Sequence, residues 1–213
     1  MDDYLTEEER LDAVKRWWKE NGRSVFLGLG LGAAIVVGWN VWQTKQRQRS
    51  EQASTAFQQL LKADQTKQPD AALKLSERLM EQYGSTTYGL YGKLFAAKFK
   101  TERGDLIGAK QLLQDIVTNA GDENFRHLAR LRLGQVMLSL HEEEAALKMI
   151  ESMDAKAAGQ YQGLYAELRG DLLVALGRAD EARTAYEQAQ QLGEMSPLLE
   201  LKLEDLASAP AKS

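Results

Sequence analysis

Two histidines, His127 and His141, are the side chains of this sequence best suited to proton transfer or metal ligation. Neither has a partner at metal-ligand spacing, so both read as surface or turn residues. The run Glu142-Glu143-Glu144 has the charge to hold a cation. Three acids in the first turn of a helix also complement its dipole, and that reading is favoured. Asp122-Glu123-Asn124 reads in the same way as a helix start. Gly28, Gly30 and Ala33 spell G-x-G-x-x-A, but no strand precedes them and no second half of a nucleotide-binding domain follows. There is no cysteine, which removes thiol nucleophiles, disulfides and cysteine metal sites together. No G-x-S-x-G, H-E-x-x-H, Walker or EF-hand pattern occurs. These residues predict a protein that is not an enzyme, with no catalytic residue, no metal, no cofactor and no small-molecule substrate.

The elements that would have to position any chemistry begin with a membrane-length stretch. Ser24 to Trp42, SVFLGLGLGAAIVVGWNVW, is nineteen residues without a charge. At about 1.5 Å per residue it covers roughly 28 Å, close to the hydrocarbon thickness of a bilayer. Its nine large apolar residues favour insertion by roughly 3–5 kcal/mol in total. Asn40, the strongly polar residue, lies near one end. A cleaved signal peptide would be shorter and followed by a small-residue cleavage site, and none follows. A buried helix of a soluble core would be amphipathic, whereas this segment is apolar all round. Trp17 and Trp18 on one side and Trp39 and Trp42 on the other stand where an aromatic belt belongs. Arg10, Lys15, Arg16, Lys19 and Arg23 precede the span, and the long following part is of the kind that translocates regardless of its charge. The expected topology is a single pass with residues 1–23 as a cytoplasmic leader, 24–42 as the transmembrane helix, and the C-terminal part outside.

The whole chain is 44% apolar and 27% charged, and the part after the span is long enough to form one globular domain. A net charge of -4 and a pI near 5.4 argue against nucleic acid. Apolar spacing is helical throughout, and Ala72, Ala109, Ala146 and Ala182 superpose four similar segments at spacings of 37, 37 and 36 residues. Each unit has a small residue twelve before this alanine (Ala97, Gly134, Gly170) and a large one four after it. The first unit departs from the rule, with Leu60 at the small place and Ser76 at the large one, and reads as a divergent repeat or a cap. The pattern resembles the tetratricopeptide repeat. The fold class expected is all-α: one N-terminal transmembrane helix followed by a tetratricopeptide-like solenoid over 69–207. Residues 43–68 form a juxtamembrane linker and first helix, and 208–213 a frayed end. Pro69 and Ser196-Pro197 are placed to open helices.

Two features suggest interactions. Gly28 with Gly32, and Ala34 with Gly38, are small-xxx-small pairs that let another transmembrane helix pack closely. In the repeats, Tyr91, Leu94, Leu128, Leu131, Leu164 and Tyr165 are candidates to face a groove.

The segments AVKRWWKENGRS, GWNVWQ, TYGLYGKLFAAK, DENFRHLARLRLGQVML, LRGDLLVALGRADEARTAYEQA and MSPLLELKLEDL follow one another in an order that resembles the YfgM-type ancillary subunits of the SecYEG translocon. That resemblance covers nearly the whole chain. It implies a bacterial inner-membrane protein with its C-terminal repeat domain in the periplasm, associated with SecYEG and with the membrane-anchored periplasmic chaperone PpiD. It further implies a non-enzymatic adaptor that helps pass newly translocated polypeptides to periplasmic chaperones. The alternative expectation is a self-associating scaffold that organises an envelope complex without touching clients.

Overall fold

The structure, a computed structural model, describes residues 7–153, 157–194 and 196–208. The end expected to fray lies outside the described residues from 209 onward, as do the first six residues of the leader. The chain divides after Glu51 into two units.

In the first unit the chain is helical from Glu7, within helix α1 (Glu7–Gln65). From Phe26 to Trp42 every residue is exposed, which for an apolar helix in water would be unfavourable and in lipid is the stable arrangement. By length and composition α1 can cross a membrane. The Trp39 and Trp42 rings stand 5.2 Å apart at one end of the apolar stretch, and Trp18 meets Phe26 edge-on at 5.8 Å near the other.

The second unit is a series of helical hairpins. The end of α1 packs with α2 (Pro69–Tyr83) through Leu60, Ala63, Ala72 and Leu79. There follow α3 (Thr87–Glu102) with α4 (Leu106–Asn119), α5 (Glu123–Ser139) with α6 (Glu143–Glu151), and α7 (Gln162–Ala175) with α8 (Ala179–Gln191). A single 3₁₀ turn at Gly159–Tyr161 precedes α7, and α9 (Pro197–Ser208) closes the described chain. No strand occurs among the described residues.

The repeat is physical as well as textual. Ala72, Ala109, Ala146 and Ala182 are all fully buried. Across the four hairpins the residue twelve before shrinks from Leu60 to Ala97 to Gly134 and Gly170. The residue four after is Ser76, Leu113, Ile150 and Tyr186 in turn; Tyr186 fills the space beside Gly170, whereas the space beside Gly134 is taken by Leu168 of α7. The first unit carries a large Leu60 and a small Ser76 at these two places, and the buried Ser76 hydroxyl donates to the Leu73 carbonyl at 2.6 Å.

Every hairpin turns through the same backbone device. The residue five before the alanine adopts the left-handed conformation: Lys67 (φ 54°), Gly104 (82°), His141 (59°) and Gly177 (72°). The next amide then donates to a carbonyl five residues back, Gln68 to Ala63, Asp105 to Lys100, Glu142 to Met137 and Arg178 to Leu173, at 2.8–2.9 Å. These are Schellman closures, which satisfy carbonyls that a helix end leaves open. Pro69 opens α2 as expected, Asp105 and Asp122 accept from the amides of Gly108 and Asn124, and the Ser196 hydroxyl accepts from Leu199 N.

Candidate functional site

The first helices of successive hairpins pack side by side, α3 on α5 and α5 on α7, while α9 is joined to α7 by Lys202. Between α3 and α5 lies a groove of about 540 Å³. Its walls are apolar, with Tyr91, Leu94, Phe95 and Leu128, and its rim carries Lys98 and Arg132. An aromatic series supports it: Phe57 stacks on Tyr91 at 5.1 Å, and Tyr91 meets Phe125 edge-on at 5.0 Å. Lys98 is held by Asp64 at 2.8 Å and lies over the Phe99 ring at 5.1 Å. Arg132 donates to Gln135 at 3.1 Å within its own helix.

The residues singled out from the sequence fall in different environments. Tyr91 and Leu164 are exposed, at 37% and 38%. Leu94 and Leu128 are half-buried and line the groove. Leu131 and Tyr165 are buried between helices. Gly28, Gly32, Ala34 and Gly38 are exposed on α1, and a Cβ added at Gly28, Gly32 or Gly38 would meet nothing within 4 Å. Phe57, Phe95 and Arg132 were not anticipated. Phe95 and Arg132 had a signal in register, one helical turn after Tyr91 and Leu128, whereas Phe57 reaches Tyr91 only through packing.

His127 differs from expectation. It is buried rather than on the surface, with Nδ1 3.1 Å from the Tyr165 hydroxyl and its ring stacked on Tyr161 at 5.0 Å. Its cover comes from α7 and the 3₁₀ turn before it, which local sequence could not reveal. Burial raises the Tyr165 phenol above its ordinary pKa, and interactions with Arg130 oppose part of that rise. The pair locks α5 to α7. His141 sits in its turn with an exposed side chain, 3.5 Å from Glu143. Glu143 and Glu144 occupy the first turn of α6, and Glu142 receives Lys110 at 2.7 Å.

At the far end, Lys202 donates to Glu167 at 2.7 Å and Asp171 at 2.9 Å, and Asp171 also accepts from the Tyr186 hydroxyl at 2.8 Å. Burial alone would lower the Lys202 pKa, but its hydrogen bonds to the two carboxylates outweigh that and hold it above the usual value. This is a structural clasp between α7, α8 and α9. Among the described residues no three histidine, aspartate or glutamate side chains gather as a metal site would require.

Comparison with known proteins agrees with this architecture. A family model described as a tetratricopeptide repeat-like domain matches residues 15–208. The ancillary SecYEG translocon subunit of Haemophilus influenzae is 31% identical over 205 residues, 95% of this chain and 98% of that protein. The ancillary SecYEG translocon subunit of Escherichia coli is 28% identical over 97% of this chain and 100% of its own. That of Neisseria gonorrhoeae is 28% identical over 95% and 98%. With an apolar membrane-length helix leading into hairpin repeats and similarity running nearly end to end, the chain belongs to the family of ancillary SecYEG translocon subunits.

Proposed function

We propose that this protein is a non-enzymatic, membrane-tethered adaptor at the SecYEG translocon. Its span is a signal anchor in the inner membrane, with the N-terminus in the cytoplasm and the repeat domain in the periplasm. There the domain contacts the chaperone PpiD and newly translocated polypeptides and helps pass the latter to periplasmic chaperones. The observation that carries this reading is the joining, in one chain, of an exposed membrane-length helix to a preformed hairpin surface, in a family whose relatives are named for the translocon. Preformed helices offer contacts without an ordering cost on binding, which suits exchange between partners.

The topology half of the proposal is tested by fusing alkaline phosphatase after Ser213 and expressing the full chain in Escherichia coli. An active phosphatase is expected. An inactive one, with a cytoplasmic reporter active at the same point, would overturn both the orientation and the adaptor role.

A further inference from the structure

Ahead of its membrane-length stretch, α1 carries a second apolar feature. Leu11, Val14 and Trp18 follow one another at spacings of three and four residues and so share one face of the helix. Leu11 and Val14 are 60% and 64% exposed, nearly as bare as Leu27 and Ile35 inside the stretch at 68% and 70%. The face runs on into the span, because the Trp18 ring meets Phe26 edge-on at 5.8 Å. Arg10 and Lys15 border it, one on each side, while Asp12, Arg16 and Glu20 lie across the helix. Lys15 stands 3.6 Å from Asp12, but both side chains are largely exposed, and so weak a pair leaves the lysine free to turn elsewhere.

A straight helix would leave this face in water. Leu11 lies thirteen residues before Ser24, roughly 20 Å along the axis at about 1.5 Å per residue. The headgroup layer on each side of a bilayer is only about 5–8 Å deep. Between the face and the span α1 has a weak point. Gly22 is the poorest helix former of the leader, and Asn21 beside it is another weak one. The Asn21 side-chain amide donates to the Trp17 carbonyl at 3.1 Å, the acceptor that the α-helical ladder assigns to the Asn21 backbone amide. Such competition loosens a helix and lets it bend.

We propose that in a membrane α1 bends at Asn21–Gly22 and that residues 10–20 lie along the bilayer surface as an interfacial helix. Leu11, Val14 and Trp18 sink to the acyl boundary, and Arg10 and Lys15 reach outward from the rim to lipid phosphates. The occupant of the face is lipid because the face is continuous with the apolar span, and because bordering cations with acids on the far side match the plane of a headgroup layer. A surface helix of this kind fixes the depth and rotation of the span. The inference goes beyond the adaptor role and rests only on the span lying in a membrane.

The chain has no cysteine, so a single introduced one reports without ambiguity. Cysteines placed one at a time from Arg10 to Glu20 of the full chain, and at Leu31 in the span, carry a nitroxide label in vesicles of phosphatidylethanolamine and phosphatidylglycerol, with the chain highly diluted in lipid. Power saturation compares access by oxygen, which concentrates in lipid, with access by a water-soluble nickel chelate. The ratio of oxygen to nickel access is expected to oscillate with the helical period, severalfold higher at positions 11, 14 and 18 than at 12, 16 and 20. Asn21→Ala with Gly22→Ala should stiffen the helix and abolish the oscillation. Alanine fits there, since a Cβ at Gly22 would meet Trp18 at an ordinary 3.7 Å.

Uniform nickel access from position 10 to 20 would overturn the inference, since the face would then stand in water. Low access by both reagents at positions 11, 14 and 18 would overturn it too, by assigning the face to a protein partner or a second copy. An unchanged oscillation in the double alanine variant would overturn the bend. The label at position 31 separates the two levels: oxygen access there, with nickel access throughout the leader, would retire the surface helix and leave the anchor standing, whereas nickel access at 31 as well would retire both.

Discussion

Tyr186 lies against Gly170 so closely that a Cβ at position 170 would clash with the phenol ring, while its hydroxyl donates to Asp171 at 2.8 Å. The ring is 2% exposed and pinned at both ends, so it cannot swing away. Gly170→Ala should therefore destabilise, even though alanine is the better helix former by about 1 kcal/mol. Overpacking of this kind costs about 1–3 kcal/mol. For a domain of this size the melting temperature should fall by about 3–8 °C. Circular dichroism melts of the full chain in detergent check this, and an unchanged or raised value would contradict the packing.

Lys67 and His141 hold the left-handed conformation that glycine holds in the equivalent turns at Gly104 and Gly177. That conformation costs a non-glycine residue roughly 1–2 kcal/mol, partly offset by the greater freedom glycine loses on folding. Lys67→Gly and His141→Gly should each stabilise by about 0.5–1 kcal/mol. The turns are distant from each other, so the gains should add. The same melts read the outcome.

These turns mark where sequence reading stops. Gly104 and Gly177 announce their geometry, but nothing in a lysine or a histidine does, so His141 could be placed in a turn without its role being seen. The alanine register was legible because a close helix approach admits few residue types. The burial of His127 was not, because Tyr161 and Tyr165 lie more than thirty residues away and cover it only through the packing of α7 on α5. The candidate surface was half legible. Of the six groove candidates, Tyr91 and Leu164 are exposed and Leu94 and Leu128 half-buried, while Leu131 and Tyr165 are buried between helices, a difference that depends on packing partners distant in sequence.

Stability should decline at both extremes of pH. The Lys202 and Tyr186 pKa values are raised in the fold, the latter by burial and then by its bond to Asp171. A raised value means that the stabilisation is complete below the unfolded value, and is lost as pH climbs through the folded one. Alkaline conditions above about pH 10 should thus loosen α9 first. The Asp115 pKa is lowered, mainly by Lys93 and then by Asn119. Its contribution is complete above the unfolded value of 3.8 and is lost as pH falls through the folded one. Hydrogen exchange across α9 at pH 7 and pH 10.5 checks the alkaline limb, with faster exchange in α9 than in α4 expected at the higher pH.

Ile35→Arg should strip the membrane anchor of its margin. A central arginine costs about 2.5–3.5 kcal/mol, and the lost isoleucine adds a few tenths. That sum is comparable to the entire 3–5 kcal/mol that the span's large apolar residues supply on the same scale. The variant should become extractable by alkaline carbonate while the wild type stays in the pellet.

The adaptor role itself is tested by photocrosslinking in living cells. Benzoylphenylalanine placed at Tyr91 or Leu164 of the full chain, both exposed on the first helices of their hairpins, reports what touches the repeat surface. The proposal predicts adducts with SecYEG subunits, PpiD or polypeptides in transit from these positions, and none of them from Ile107. Adducts confined to lipid or to a second copy of the chain would contradict it.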